Sequence, residues 1–200
     1  MDMTVTKASE SELPGVSELT AEFGQRIPYP AGNEEEESIY GRLTNGQRII
    51  GHLPRAIQEG IRAQSGALMR DGKLAPPLRQ LIIVRVGYHA LSIYEVEQHR
   101  SVAAKLGVTA SKLDAMALRT PDGLGEAETA AIRLVDELVA VSRPSDATLG
   151  QARVHFSDGE LLEIIFVVGN WWTLARLLET AGIPLDDERI GDRALTQVRQ

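Results

Sequence analysis

Apolar positions along the chain recur every three to four residues and nowhere alternate in twos over more than a few residues. The most informative stretch runs from Leu78 to Val108. Its first half is apolar on nearly every side (Leu81, Ile82, Ile83, Val84, Val86), which predicts a central, buried helix from Pro77 to about His89. A joint near Ala90–Ser92 leads into an amphipathic helix from about Ser92 to Leu106. There Ser92, Glu95, Val96, His99, Ala103 and Leu106 share one stripe, with Glu97, Ser101 and Lys105 on the other side.

Further helices are predicted from about Pro54 to Met69, Thr109 to Leu118, Glu126 to Val141 and Asp146 to Val154. Ser157 with Glu160 three residues on forms a capping box, opening a last helix that Gly182 and Pro184 end. Its segment Leu161–Val168 is apolar all round, and Gly169–Asn170 reads as a break before Trp171 and Trp172. The pattern predicts an all-α fold. Residues 1–37, with breakers Pro14, Pro28 and Pro30 and the acidic run Glu34–Glu37, read as an N-terminal arm. Residues 38–185 read as the helical domain and 186–200 as a C-terminal tail.

A faint repeat links the two most apolar helices. Ile82-Ile83-x-x-Val86-Gly87 recurs as Ile164-Ile165-x-x-Val168-Gly169, and Leu106-Gly107-Val108 is echoed by Ala181-Gly182-Ile183. The second offset is shorter, as if the joint bearing Ser92 and Glu95 were inserted in the first copy only. Two similar layers of helical hairpins about a pseudo-dyad are expected.

Composition narrows the function. The chain has 200 residues and a formal net charge of −7, with 43% hydrophobic and 24% charged residues. This suits one globular domain, and the acidity argues against nucleic acid as a partner. No apolar run approaches the ~20 residues of a membrane span, and the N-terminus has no signal-peptide core, so a cytoplasmic location is expected. With no cysteine, disulfides, thiolate metal sites and thiol mechanisms are all excluded for this chain. His52, His89 and His155 lack metal-ligand spacing, and Glu95 with His99 offers only two ligands, so no metal is expected. No glycine-rich phosphate loop appears, and no cofactor is expected.

Glu95 and His99 lie one turn apart on a face that also carries core residues. Burying both costs several kcal/mol unless they pair or do chemistry. They read either as a general acid–base unit, with Glu95 fixing the tautomer of His99, or as a structural ion pair. Gln80 could orient Glu95 or a substrate oxygen, or be a satisfied core amide. Arg85 could bind a substrate carboxylate, though pairing with an internal acid such as Glu163 is the better reading. Ser92 stands at the joint, and Tyr94 falls off the buried stripe, which points to an interface or pocket rim. Trp171 could wall a pocket or simply fill the core.

The HLP at 52–54, the RDGKLAPPLRQLIIVRVG approach, the YEVEQHRSVAAKLGV helix and the Ser157–Gly182 helix together resemble the carboxymuconolactone decarboxylase family, which includes the AhpD-like proteins. The resemblance covers roughly Ser38 to Ile183. It implies an AhpD-like helical bundle assembled as a homotrimer or homohexamer, with a pocket near the joint before the histidine helix. AhpD-type peroxidases resemble a pattern of Glu, then C-x-x-C, then His. Here the His position is His99, the cysteine positions hold Ser92 and Glu95, and the upstream Glu position holds Gln80. Thiol peroxidase chemistry is therefore not expected. The decarboxylases proper resemble this chain in placing a carboxylate one turn before the His. A cofactor-free lyase or isomerase acting on a small carboxylated cyclic metabolite is the first expectation, with Glu95 and His99 as its acid–base pair. The alternative is a non-catalytic oligomeric binding protein on the same scaffold. Self-association is expected through the all-round apolar segments Leu78–Val86 and Leu161–Val168.

Overall fold

In the computed structural model, the described residues are 11–19, 24–31 and 43–192. They form α1 (Asn45–Ile50), α2 (Arg55–Arg70), α3 (Pro76–His89), α4 (Ile93–Lys105), α5 (Ala110–Ala115), α6 (Glu126–Ala140), α7 (Asp146–Arg153) and α8 (Asp158–Ala181), preceded by a 3-10 turn at Val16–Glu18. Among the described residues no strand forms, and the only bridge joins Glu12 to Leu118. The fold is all-α, as the hydrophobic spacing requires.

The caps sit where the sequence signals them. Thr109, Ser145 and Ser157 each accept a backbone N–H from the first turn of α5, α7 and α8, and Ser157 with Glu160 closes the capping box. Gly182 ends α8 in the left-handed region at φ 65°, with its N–H on the carbonyls of Leu178 and Glu179. The short helix α1 was not among the predicted elements. It has its own capping box, Thr44 with Gln47.

The central helix α3 is buried from Leu78 through Tyr88, wrapped by α4, α6 and α8. Leu81, Ile82, Ile83, Val84 and Val86 are fully enclosed by their own chain. The expectation that Leu78–Val86 needs a partner subunit is therefore corrected: its neighbours within the chain cover it. α8 differs. It is one continuous helix through Gly169 and Asn170, with no break there, and it is apolar on its outer side too. Leu162, Ile165 and Phe166 are 61%, 42% and 60% exposed. By length and composition α8 could cross a membrane, yet its inner face carries Ile164, Val167, Val168 and Trp171 into the core. Leu106, expected on the buried stripe of α4, is 41% exposed beyond the end of that helix.

Pieces of the N-terminal arm lie along this body. Leu13 is buried with its N–H on the carbonyl of Ala117, and the N–H groups of Arg26 and Ile27 both reach the carbonyl of Ala181. The acidic run at 34–37 lies outside the described residues.

Candidate functional site: a buried histidine with two fixed nitrogens

The joint between α3 and α4 turns on Leu91, the only non-glycine among the described residues with positive φ, at 55°. Left-handed backbone at a branched residue is strained and persists only where its surroundings hold it. Here the Ser92 N–H bonds the carbonyl of Gly87, and the Ser92 hydroxyl accepts from the N–H of Glu95. The reversal is tight enough to press α4 against Gly87. A methyl group on Gly87 would stand 2.9 Å from Val96 Cγ2 and 3.2 Å from the Val96 nitrogen. That approach delivers Glu95 and His99 to the flank of α3.

Both side chains are buried, with Glu95 4% and His99 7% exposed. Glu95 Oε2 lies 3.3 Å from His99 Nε2. The same Nε2 accepts the indole N–H of Trp171 at 2.8 Å, the two rings meeting edge-on. On the other side of the imidazole, Nδ1 lies 2.8 Å from Gln80 Oε1. Indole is a donor only, so Nε2 is the accepting nitrogen and Nδ1 carries the proton given to Gln80. The tautomer is thus set by Gln80 and Trp171, not by Glu95 as expected. Gln80 orients His99 itself, while its amide nitrogen reaches the Met69 sulfur at 3.6 Å.

Chemically, the consequence is a gap between Nε2 and Oε2 that contains two proton acceptors. A proton taken up there would be shared by imidazole and carboxylate at short range in a poorly hydrated setting. Glu179 lies close by. It is half-buried, and burial raises its pKa while the nearby charge of Glu95 adds to the rise; Ser92 and the Tyr94 backbone N–H bond it and oppose the rise.

Other sequence-derived assignments change. Tyr94 does not sit at a rim: it is 4% exposed, donates its hydroxyl to Asp186 and accepts the N–H of Gly46. Asp186 also accepts from Gln98 Nε2 at 2.7 Å and from the Asn45 N–H at 2.9 Å, tying α4, the start of α1 and the segment after α8 together. Burial, then the bond and charge of Asp186, push the Tyr94 phenol far up. No periodic signal announces Asp186, because it lies past the last helix.

Arg85 pairs with Asp136 rather than Glu163, at 2.7 Å and 2.9 Å, and gives its remaining N–H groups to the carbonyls of Met116, Leu118 and Arg119. These internal partners leave it unavailable to a substrate carboxylate. Glu163 instead accepts the N–H groups of Lys73 and Leu74 and lies 3.9 Å from Arg79. The signal for Asp136 was present: it is an acid on the stripe of α6 that carries Ile132 and Val135. His89 shares Asp136 at 2.7 Å. Trp171 is core, and Trp172 is half-buried under the Arg176 guanidinium.

A pocket at the joint was expected. Three surface grooves lie elsewhere among the described residues: two between α2 and α8, of about 420 and 640 Å³, and one of about 330 Å³ between α6 and α7. None of the three is lined by Glu95 or His99. Among the described residues, no group of three or more His, Cys, Asp or Glu converges as a metal site would.

Comparison with known proteins agrees with this architecture. Residues 49–137 match the carboxymuconolactone decarboxylase family. No curated protein matches the chain at a significant level. Among solved structures, a peroxidase-related protein from Silicibacter sp. TM1040 superposes with a TM-score of 0.70 at 16% identity, over 94% of this chain and 98% of that one. The alkylhydroperoxidase AhpD core protein of Ralstonia eutropha JMP134 gives 0.67 at 20% identity, over 90% and 94%. The debrominase Bmp8 in its apo form gives 0.64 at 17% identity over the whole of both chains. At these identities the likeness is one of fold.

Proposed function

We propose that this chain, a member of the carboxymuconolactone decarboxylase family, moves protons rather than electrons, as a lyase or isomerase on a small carboxylated cyclic metabolite. The observation that carries the reading is the pair of acceptors, Glu95 Oε2 and His99 Nε2, 3.3 Å apart beside an Nδ1 whose proton is already given to Gln80. Such a pair takes up one proton and can return it, which is what acid–base catalysis at carbon needs. In a decarboxylation, the indole N–H of Trp171 first gives up Nε2 so that Nε2 can take a proton. The C–C electron pair then passes into a conjugated carbonyl of the substrate, CO₂ leaves, and the dienolate carbon takes that proton from Nε2. Glu95 balances the imidazolium while it is loaded. A substrate carboxylate brought beside buried Glu95 is desolvated and repelled; as CO₂ departs its charge spreads over the dienolate, and it is discharged when the dienolate carbon takes the proton. Thiol chemistry has no residue to run on, since the chain has no cysteine.

The test is turnover of a panel of carboxylated lactones by the wild type and His99→Ala. Loss of proton-transfer activity in the variant supports the reading, and equal activity of the two proteins removes His99 from the mechanism. A second reading, a non-catalytic binding scaffold, is favoured by one specific observation: the pair is packed, and none of the three grooves described above reaches it. Thermal shift with the same panel separates them, because a ligand that protects the wild type without being turned over supports the scaffold.

A further inference from the structure

We propose that Glu179 is the relay that reloads the buried pair, taking a proton from water and passing it inward to Glu95. The inference rests on the reading of Glu95 and His99 as a proton-moving pair. Each decarboxylation then consumes a proton: the carboxylate leaves as CO₂, and the C–H bond that replaces the C–C bond takes its proton from Nε2. The pair has to recover that proton from water before the next turnover, yet Glu95 is only 4% and His99 7% exposed. Among the described residues, the side chains bonded or paired to the His99 ring are Gln80, Trp171 and Glu95. Of these only Glu95 takes up and releases a proton near neutral pH, so the route to water runs through Glu95.

Glu179 stands at the outer end of that route. α8 runs antiparallel to α4: Trp171 meets His99, and Glu179, about two turns further along α8, meets Ser92 and Tyr94 at the start of α4. Glu95 lies between these two contacts along the chain. The Ser92 hydroxyl touches both residues, donating to the Glu179 carboxylate and accepting the N–H of Glu95. Ser92 is fully enclosed and Glu95 nearly so, whereas Glu179 is half-buried, so exposure falls from Glu179 inward.

Burial and the charge of Glu95 favour the protonated form of Glu179 and outweigh the bonds from Ser92 and the Tyr94 N–H. A carboxyl held above its ordinary range keeps a proton available closer to neutral pH than a free glutamate does. Glu179 also accepts an N–H in the first turn of α4, where a carboxylate can serve purely as a cap. Glutamine separates the two roles. Its amide oxygen still accepts from Ser92 and Tyr94, but it carries no exchangeable acid proton.

Proton exchange between the His99 ring and water, followed by nitrogen NMR on substrate-free protein, tests this. Glu179→Gln should slow the exchange about tenfold or more, with its helical circular dichroism and the His99 tautomer retained. Glu179→Asp, which restores a carboxyl, should recover most of the rate. Glu97→Gln, on the outer side of α4 with 39% of its side chain exposed, should leave it unchanged. Equal rates in the wild type and Glu179→Gln overturn the relay, as does equal slowing by Glu97→Gln. If Glu179→Gln fails to fold, the wild-type pH profile decides. Delivery by a carboxyl levels off at low pH once that carboxyl is protonated, whereas direct delivery by hydronium keeps rising about tenfold per pH unit, and such a line overturns the relay. Where the lactone panel is turned over, Glu179→Gln should lower kcat about tenfold and leave KM within about twofold; an unchanged kcat overturns the reloading role. Where no lactone is turned over, the lyase reading fails, and the exchange rates still decide for or against Glu179.

Discussion

Helices α3 and α8 carry the same Ile-Ile-x-x-Val-Gly motif and pack against each other, but they live in different surroundings. In α3 the motif is enclosed on all sides: the glycine lets α4 approach, and the helix holds Arg79, Gln80 and Arg85 inside the protein. In α8 the inner half of the motif is core, while Ile165 and Gly169 face outward. Polar chemistry collects where enclosure is complete. A histidine is held in one tautomer where the donors and acceptors around it are fixed, and α3 and α4 with the inner face of α8 provide that setting. The outer side of α8 offers area instead.

Exchanging residues between the two helices should break this contrast. The largest effect is expected from Arg85→Val, which gives α3 the residue that α8 has at the matching position, Val167. It leaves three carbonyls without the Arg85 donor and Asp136 with His89 alone, and breaking a buried pair from one side costs about 3–5 kcal/mol. Asp136 is 29% exposed and can partly rehydrate, so the lower end is expected in urea unfolding. A loss under about 1 kcal/mol would mean that the clamp contributes little.

Gly87→Ala should cost about 1–3 kcal/mol, since its methyl group meets the Val96 side chain and backbone and must push α4 away. Because His99 rides on α4, the proton-transfer rate should fall with stability. Gly169→Ala should have the opposite sign and gain up to about 1 kcal/mol of helix propensity in open space. If both alanines act alike, the difference between the two glycines does not lie in packing.

The smallest effect concerns pH. Burial works to raise the Asp136 pKa, but hydrogen bonds from His89 and Arg85, with their charges, outweigh it and hold the carboxyl below its ordinary value. A depressed carboxyl contributes stability that is present above its unfolded pKa near 3.9 and is lost as pH falls toward the folded value. Asp136→Asn should therefore flatten the acid limb of stability below about pH 4, measured by thermal melts at stepped pH. An unchanged acid limb would place the sensitivity in other carboxylates.

Most of the fold was legible because helices announce themselves locally. Ser157 with Glu160, Thr109 and Gly182 are caps readable within a few residues, and the complete burial of α3 follows from its apolar circumference. The pair Glu95–His99 was legible for the same reason, being one turn apart on one helix. What the sequence withheld depended on contacts between distant segments. Gln80 and Trp171 set the tautomer across the space between three helices. Tyr94 looked peripheral because its partner, Asp186, lies after the last helix. Arg85 had several acids to choose from, and only the packing of α6 on α3 selects Asp136. The apolar surface of Leu78–Val86 could not be credited to its own chain until α4, α6 and α8 were seen around it.

The indole that seats His99 arrives late. Trp171 lies 72 residues downstream of the imidazole it bonds, and the Ala181 carbonyl that receives Arg26 and Ile27 comes later still. On the ribosome, α3 and α4 emerge well before α8, so the histidine exists for that interval without its donor and α3 without one of its walls. Completion of the site is thereby tied to synthesis of α8, and a truncated product ending before Trp171 cannot carry an assembled site. Such a product should expose α3 and bind a hydrophobic dye that the full-length protein excludes; equal dye binding by both would show that α3 finds cover without α8.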